Sequence, residues 1–337
     1  MKKIRIGHLG VSHDHSQSVL ECVLRMSDVF EFVGLAEPNA KAYDEKVKNN
    51  KVYQSVPIMS VEELIALKPD AMLIEGYELE NLNAAELCIK NGIHVHFDKP
   101  AGANLAQFKR ILDMAREKNL VVHMGYMYRY NHGVQYALEK AKDGTLGEVY
   151  QVDAFMDTCH DPEKRAWMHE FPGGNMFFLG CHMVDFVYMF LGSPKAVIPF
   201  NRRTHIDGTD VVDHGCAVLD YGNAVSTVRA TSTQVNGFGR RQLVICGTKG
   251  TIEIKPLEVN YEGTPRIDAD VYLSTKEMVG PNIYRNISQK IEVPSMVGRY
   301  EDMMTAFASY VRGEKKNPFD YDYEYELQRI VLEACGE

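Results

Sequence analysis

The chain has 337 residues, enough for two domains that each bury a core of their own. Hydrophobic residues make up 45% and charged residues 25%, which is typical of a globular protein and argues against disorder. The net charge of −9, with Lys and Arg scattered along the chain, argues against a nucleic acid or an anionic membrane as a partner.

The start of the chain and its cysteines indicate a cytoplasmic protein. His8 and Gly10 interrupt the short apolar stretch that follows two lysines, so we predict a first strand there and no secretory signal. No apolar run approaches the roughly 18–20 residues needed to cross a bilayer. The seven cysteines are odd in number and show no CxxC spacing, which favours reduced thiols.

Short apolar runs alternate with helical patterns over the first 125 residues. Strands are predicted at Lys3–Leu9, Phe30–Ala36, Ala71–Ile74, Ile93–Phe97 and Leu120–Met124. Helices are predicted at Ser16–Met26, Val61–Leu67, Glu80–Lys90 and Leu105–Lys118. Ser60 and Glu63 form a capping box that opens the second helix, and Gly92 follows the third as its C′ residue.

This alternation predicts an α/β fold with a doubly wound parallel sheet, a Rossmann domain, over residues 1–124. Ligands of such sheets bind beyond the carboxyl ends of the strands. We therefore expect the chemistry directly after Leu9, Ala36, Ile74 and Phe97.

Strand-like runs separated by Gly-containing turns predominate after residue 125. They lie at Val149–Met156, Ala196–Pro199, Gly215–Leu219, Ala224–Ala230, Gln242–Cys246, Thr251–Ile254 and Asp270–Leu273. Helical patterns lie at Gly133–Lys142, Asn175–Leu191, Arg299–Val311 and Tyr323–Ala334. Residues 125–337 are thus predicted to form a second α/β domain with a large, mostly antiparallel open sheet, whose final helices could pack back on the Rossmann domain.

The turn after the first strand has part of the composition of a dinucleotide-binding turn. In a GxGxxG turn, backbone N–H groups and a helix N-terminus meet a pyrophosphate. Gly10 is the only one of the three glycines present, and Ser12 and His15 occupy the other two positions. The imidazoles of His13 and His15 could donate to phosphate oxygens in place of the missing amides. An ordinary turn between a strand and a helix is the alternative.

Glu37 ends the second predicted strand, 22 residues beyond His15. An acid at about this spacing accepts hydrogen bonds from the adenosine ribose in dinucleotide folds. Because its charge would repel a 2′-phosphate, we expect NAD rather than NADP as the cofactor. The alternative is a solvated loop carboxylate.

Two further residues are candidates for proton chemistry. Lys99 follows the fourth strand and precedes Pro100, so a stiff turn would hold it at the predicted cleft, where it could bind the reacting oxygen. His182 lies on a predicted helix, sharing a face with Phe178 and close to Asp185, and is a natural base for a hydroxyl group. The alternatives are a surface lysine and a core histidine.

We expect no metal site. His13 and His15 flank Asp14, but two histidines this close on a turn rarely present three ligands to one ion, and no HxxxH or cysteine cluster supports them. His94 and His96 alternate with apolar residues and are expected in the core or behind the site.

Several segments in this order resemble the glucose–fructose oxidoreductase / inositol dehydrogenase / MocA (Gfo/Idh/MocA) family over nearly the whole chain. They are Ile-His-Val-His-Phe-Asp98-Lys99-Pro100, Gly125-Tyr126-Met-Tyr-Arg129-Tyr130-Asn131, Gly-x-His182-x-x-Asp185, Asp213, and Gly247-Thr248-Lys249-Gly250-Thr251. The first is similar to the family's "EKP" signature, and the second to its "GY..RFNP" segment.

The resemblance implies hydride transfer between a nicotinamide and a secondary hydroxyl or keto group of a sugar, a cyclitol or a derivative. It implies that Lys99 contacts the substrate oxygen and that His182 is the acid or base. The cofactor-binding residues expected are Gly7, Gly10, Ser12, His13, His15, Glu37, Glu75, Gly76, Asp98 and Lys99. The substrate-binding residues expected are Tyr126, Arg129, Asp157, Phe178 and Asp185. The open sheet of the second domain would form contacts of a homodimer or homotetramer.

Three departures from the family pattern predict a divergent member. The glycine fingerprint is reduced, and Phe178 replaces an Asp that many polyol dehydrogenases of the family carry. The "ATP/N…H" run after the third strand reads Ile74-Glu75-Gly76-Tyr77-Glu78-Leu79-Glu80-Asn81. His182 and Lys99 would then act alone or with Asp157, His160 or Asp161. Two alternatives therefore stay open: a glycoside hydrolase or lyase that uses NAD transiently, and a protein that binds a dinucleotide without catalysis.

Overall fold

The computed structural model describes residues 2–261, 264–266 and 269–337. The chain divides into two compact units. The first comprises the residues up to Tyr126 together with Tyr300–Gln328, and the second comprises Met127–Arg299 together with Arg329–Glu337.

A five-stranded parallel sheet forms the centre of the first unit, in the order β2-β1-β3-β4-β5. Its strands are β1 (Ile4–Leu9), β2 (Phe30–Ala36), β3 (Ala71–Ile74), β4 (His94–Phe97) and β5 (Val122–Met124). Every residue of β3 is buried, as expected for a central strand covered on both faces. The predicted Rossmann-type sheet is confirmed, with strand ends within two residues of their predicted positions.

The helices of both units are numbered along the chain. They are α1 (Ser16–Arg25), α2 (Ala40–Ala42), α3 (Lys51–Gln54), α4 (Val61–Ala66), α5 (Asn81–Lys90), α6 (Leu105–Lys118), α7 (His132–Lys142), α8 (Pro162–Trp167), α9 (Cys181–Leu191), α10 (Glu301–Val311) and α11 (Tyr321–Cys335). None of the helices in the described ranges has the length and apolar character that a membrane crossing requires.

Local sequence signals fix several helix ends as predicted. The Ser60 side chain accepts a hydrogen bond from the Glu63 N–H at 3.2 Å, and the Glu63 carboxylate accepts one from the Ser60 N–H at 2.9 Å, completing the capping box of α4. Gly92 takes a positive φ of 78° just beyond α5, where a residue with a Cβ would be strained.

An eight-stranded, mostly antiparallel sheet forms the second unit, in the order β15-β14-β11-β10-β6-β9-β8-β7. Only the β6–β9 pair is parallel among the described strands of this sheet. The strands are β6 (Val149–Phe155), β7 (Ala196–Pro199), β8 (His214–Asp220), β9 (Val225–Thr231), β10 (Gln242–Gly247), β11 (Gly250–Ile254), β14 (Val271–Gly280) and β15 (Ile283–Ile291). A separate two-stranded sheet pairs β12 (Val259–Tyr261) with β13 (Thr264–Arg266).

The end of the large sheet differs from the sequence prediction. The predicted strand stopped at Leu273, whereas β14 continues to Gly280 and pairs with β15, which was not predicted. All of β15 up to Lys290 is exposed, so no buried alternation marks it in the sequence. The hairpin is held by its backbone ladder, which composition does not reveal.

Gly10 provides a test of how closely β1 and β3 approach. Its φ is 82°, and a Cβ added there would lie 2.6 Å from the Gly76 Cα. Gly92 has a similar φ but open space around it. We expect Gly92→Ala to lower the unfolding free energy by about 1–2 kcal/mol through backbone strain alone. Gly10→Ala should cost about 1–3 kcal/mol more, because the backbone of residue 76 must move.

Urea denaturation followed by fluorescence and circular dichroism measures both variants. Equal losses for the two variants would contradict the close approach of the two turns.

Candidate active site

The carboxyl edge of the parallel sheet gathers the predicted site residues of the first unit. Gly10 follows β1, Glu37 follows β2, Glu75 follows β3, and Asp98 and Lys99 follow β4. These four strands are neighbours in the sheet, and parallel strands end at the same edge. Tyr126 lies two residues beyond β5 and is buried.

Gly7 lies inside β1, where it pairs with Gly34 of β2 and Met72 of β3, and not in the turn. A Cβ there would lie 2.9 Å from the Met72 Sδ and 3.0 Å from Leu64 Cδ1. The absence of a side chain at Gly7 therefore serves the packing of the sheet against its own core, and its contact with a cofactor stays a prediction.

The turn after β1 uses most of its amides internally. The N–H groups of Gly10, Val11 and His13 donate to the Ala36 carbonyl, the Glu37 carboxylate and the Glu75 carbonyl at 2.8, 2.6 and 3.0 Å. The His15 N–H donates to His13 Nδ1 at 3.1 Å. A GxGxxG turn offers such N–H groups to a pyrophosphate. Here the turn lacks two of the glycines, and most of its N–H groups already donate to other groups of the protein.

Glu37 binds the turn and also borders a cavity. Its carboxylate accepts hydrogen bonds from Val11 N–H at 2.6 Å and Asn39 N–H at 2.7 Å. Burial raises the pKa of this carboxyl, and the two hydrogen bonds oppose the rise. The adjoining cavity has a volume of about 340 Å³. The end of β1, the turns after β1, β2 and β3, and the helices α4 and α5 line it, including Gly10, Ser12, Glu37, Gly76, Tyr77 and Asn81.

Two histidines of the turn meet the carboxylate that follows β4. Asp98 Oδ2 lies 3.1 Å from His13 Nδ1 and 2.7 Å from His15 Nδ1. The other oxygen, Oδ1, accepts the Lys99 N–H at 2.7 Å. We call His13, His15 and Asp98 the His–Asp cluster. Its third member comes from a strand end more than 80 residues further along, which explains why the sequence prediction counted only two ligands.

Two more buried carboxylates border this cluster. Glu75 Oε2 lies 3.8 Å from His13 Nδ1, and Glu78 Oε1 lies 3.4 Å from His13 Nε2. Glu75 was expected at the cofactor, but Glu78 was not predicted as a site residue. Its position three residues after Glu75, in the run that differs from the family's "ATP/N" pattern, could have indicated it. Both side chains are fully buried.

Burial sets the protonation states here. It lowers the pKa of His13 to about 3, against the opposing charge of Asp98, so the imidazole is neutral near pH 7. Burial also raises the pKa of Glu75 well above its usual range, and the charges of Asp98 and Glu78 raise it further. Burial also raises the pKa of Asp98, but the effects of His13, His15 and Lys99 are larger and hold this pKa well below its usual range.

The remaining histidines of the first unit belong to its core or lie behind the site. His96 and His123 are buried and hydrogen-bond through their Nδ1 atoms at 2.7 Å, with His123 stacked on Phe307. Burial lowers the pKa of His96 to about 4. His94 Nδ1 accepts the Val121 N–H at 2.8 Å.

In the second unit His182 is buried at the start of α9. Its ring meets the Tyr128 ring edge-on, with centroids 4.9 Å apart. The Tyr128 hydroxyl donates to Glu258, and Arg241 Nη1 donates to both groups, at 3.0 Å to the hydroxyl and 2.5 Å to the carboxylate. Sequence reasoning missed this network because Tyr128 and Glu258 are 130 residues apart.

Arg129, Asp185 and Asp157, which were expected to bind substrate, are engaged in buried ion pairs. Arg129 Nε and Nη2 each lie 2.9 Å from an oxygen of Asp185, a bidentate pair. The Asp157 carboxylate accepts Arg229 Nη2 at 2.5 Å and the Thr231 hydroxyl at 3.0 Å, so it ties β9 to the end of β6. These contacts give the three residues a positioning role, and their contact with substrate stays a prediction.

Phe178 and His182 have different aromatic neighbours, and their placement on one helix face stays a prediction. A π-helical turn, Met176–Gly180, contains Phe178 and precedes α9. Phe178 packs against Trp167 and Phe171, with ring centroids 5.2 and 6.0 Å away, whereas His182 packs on Tyr128. Such π turns often occur at functional sites.

The parallel sheet with its site at the carboxyl edge, followed by an open antiparallel sheet, defines a two-part oxidoreductase fold. Residues 4–126 match the sequence model of an oxidoreductase family with an NAD-binding Rossmann fold, and residues 134–253 match the GFO/IDH/MocA C-terminal domain. The chain therefore belongs to the GFO/IDH/MocA family, and the resemblance inferred from the sequence is confirmed.

Individual relatives are distant. The chain is similar to trans-1,2-dihydrobenzene-1,2-diol dehydrogenase of Xenopus laevis, with 26% identity over 62% of this chain and 64% of the relative. It is 28% identical to an NADP-dependent scyllo-inositol 2-dehydrogenase of Bacillus subtilis, over 50% of this chain and 53% of that protein. The crystal structure of an aldose–aldose oxidoreductase from Caulobacter crescentus has the same fold, with a TM-score of 0.77 at 16% identity over 99% of this chain and 96% of that one.

The buried pair of Arg129 and Asp185 generates a stability prediction. Asp185→Asn should lower the unfolding free energy of the second unit by about 3–5 kcal/mol, because it leaves a buried guanidinium without its counter-charge. Replacing both residues, as Arg129→Met with Asp185→Leu, should recover part of the loss. The exposed pair of Lys109 and Asp113 is the control, and Asp113→Asn should cost less than about 1 kcal/mol.

Urea denaturation of the four proteins checks this. A loss in Asp185→Asn no larger than in the exposed control would contradict the structural role.

Proposed function

We propose that this protein is an NAD-dependent oxidoreductase acting on a secondary hydroxyl or keto group of a sugar, a cyclitol or a related compound. The observation that carries the proposal is the carboxyl edge of the parallel sheet. There a buried lysine, an acid after β2 and a cavity of about 340 Å³ occur together in one unit. Family membership and the names of the relatives support the same reaction class.

The cavity fits the adenosine half of a dinucleotide. Its volume is at the lower end for a small-molecule site, as expected for half of a larger ligand. Gly10 and Gly76 line the cavity, and Glu37 borders it where a ribose hydroxyl could donate to its carboxylate. When bound, the nicotinamide would accept or supply the hydride. The carboxylate of Glu37 favours NAD over NADP.

Lys99 and His182 are the proposed catalytic residues. The Lys99 ammonium would hydrogen-bond the oxygen of the reacting carbon and stabilise negative charge that develops on it. The His182 imidazole would take the hydroxyl proton on oxidation and return it on reduction. The Tyr128 ring orients His182, and the ion pair of Arg129 with Asp185 holds the start of α9 in place.

An oligomer completes the proposal. The hairpin of β14 and β15 exposes Met278, Val279, Ile283, Tyr284 and Ile287, each at least 44% accessible. Met278 and Tyr284 pair on one face of the hairpin, whereas Ile283 and Ile287 lie on the other face. Exposed apolar side chains gathered on a sheet in this way are typical of a subunit contact. We propose that a second copy of the chain covers the hairpin, in a homodimer or homotetramer. All seven cysteines are free thiols, which favours a reducing compartment, the cytoplasm.

The first functional test is NADH formation or consumption with a panel of aldoses, inositols and their keto forms. Lys99→Met should lower kcat/KM by about 100-fold or more, because a positioned proton donor contributes 10²–10⁴-fold. Its affinity for NAD should remain within a few-fold of the parent. Lys109→Met, a change of an exposed lysine on α6, is the control and should leave turnover unchanged.

Three outcomes would count against the proposal. Bound NAD without turnover on any compound favours a non-catalytic binding protein. Cleavage of an aryl glycoside without net NADH favours the hydrolase or lyase alternative. Full activity of Lys99→Met would remove the lysine from the mechanism.

Cofactor choice provides a second test. Glu37→Gln keeps the size of the side chain and one oxygen for the turn but removes the charge. The ratio of the NADP and NAD dissociation constants, measured by calorimetry, should shift toward NADP by about 10-fold or more, since hydrogen bonds to charged groups contribute about 1.5–3 kcal/mol. Glu31→Gln, at an exposed position of β2, is the control. An unchanged ratio would contradict the role of Glu37.

A further inference from the structure

The His–Asp cluster has features that hydride transfer does not require. Its three side chains present two imidazole nitrogens and a carboxylate oxygen, and these potential ligand atoms all lie within 4.8 Å of one another. Asp98 Oδ2 is 3.1 and 2.7 Å from the two Nδ1 atoms. The contact of His15 with Asp98 is a hydrogen bond in the structure. Two ligands bound at ~2.0–2.1 Å to one ion are themselves roughly 3 Å apart, so an ion could replace this hydrogen bond with little movement of the side chains.

Asp98 is held in place from two sides. The Lys99 N–H fixes its other oxygen, while His13 Nδ1 accepts the His15 N–H, a hydrogen bond that an ion bound to this nitrogen would replace. Gly125 lies against this carboxylate, and a Cβ there would be 2.8 Å from Asp98 Oδ1. A site with locked side chains binds an ion with little loss of conformational entropy.

A second observation points to a ligand. Glu75 is fully buried, and neither of its carboxylate oxygens takes part in a hydrogen bond within the described ranges. Its Oε2 is 3.8 Å from His13 Nδ1, so the group is aimed at the cluster. A buried carboxylate is costly unless a cation or a hydrogen-bond donor compensates it.

The side chains around the cluster suit a cation. Glu75, Glu78 and Asp98 bring three carboxyl groups to His13 and His15. A divalent cation binds carboxylate and imidazole ligands directly and would favour their deprotonated forms. Two imidazoles with carboxylates, and no thiolate, suit zinc, manganese, iron or cobalt rather than a copper(I) site.

We propose that His13, His15 and Asp98, with Glu75 beside them, form a binding site for a first-row divalent transition metal. The two histidines and one carboxylate are the ligand set that leaves positions open for a further ligand. Glu75 supplies an additional oxygen or binds a metal-bound water. The site is built entirely from the first unit, and it does not rest on the proposed hydride transfer.

The test uses the whole chain without an affinity tag, freed of metal by a chelator and without nucleotide. Cobalt(II) and zinc(II) are added separately, and binding is followed by the visible absorption of cobalt, by calorimetry and by metal analysis after gel filtration. We expect one ion per chain, with a cobalt spectrum that zinc abolishes by displacement.

Variants locate the site. His13→Ala, His15→Gln and Asp98→Asn should each weaken metal binding at least 100-fold, and Glu75→Gln should weaken it less. His205→Ala is the matched control, since His205 is an exposed histidine paired with Asp210, and it should bind as the parent does. Circular dichroism shows whether each variant is folded. The parent's melting temperature should rise when metal is added, and this measurement does not depend on whether any variant folds.

Each result decides the proposal. Absence of binding by the folded parent overturns it, as does binding that survives the loss of both histidines. Binding that depends on His205 shows a surface site and also overturns it. Because no substrate or nucleotide is present, failure of the metal site is separate from failure of the dehydrogenase assay.

Discussion

The site depends on one geometric constraint, which is that neighbouring parallel strands end at the same edge of their sheet. The turns after β1, β2, β3 and β4 come from positions spread over about 90 residues of sequence, and the sheet order places them side by side. Backbone hydrogen bonds then join the turns, as in the donation from the His13 N–H to the Glu75 carbonyl. Every buried polar group at this edge, including Asp98 and Lys99, takes its position from that register.

Crowding of acids at this edge sets the protein apart from a plain dinucleotide-binding fold. A GxGxxG turn offers free amides to a pyrophosphate, whereas here Glu37 and the backbone around Glu75 take up the amides of the turn. Glu75, Glu78 and Asp98 crowd around His13, at the edge that receives a phosphate in related folds. A cavity next to Glu37 remains suited to an adenosine, and a cation would reconcile the acids with their burial.

In the second unit the buried carboxylates are paired with arginines and hold neighbouring elements in position. Arg129 with Asp185, and Asp157 with Arg229, satisfy each other through several hydrogen bonds. Such pairs contribute little net stability, but losing one partner is costly, so they fix side chains in one arrangement. They hold the start of α9, where the π turn presents Phe178 and His182 to different neighbours.

The sequence by itself determined all strands of the parallel sheet, most strands of the large sheet, most helices, the family and the residues after each parallel strand. Apolar periodicity, the capping box at Ser60 and the position of Gly92 are local signals, and local signals survive in a single sequence. The tertiary structure alone decided which distant side chains meet: Asp98 with His13 and His15, Tyr128 with Glu258, and Gly7 with Met72. It also revealed β15 and the π turn. The physical reason is that side-chain contacts across tens of residues depend on sheet register and packing, which composition and spacing do not encode.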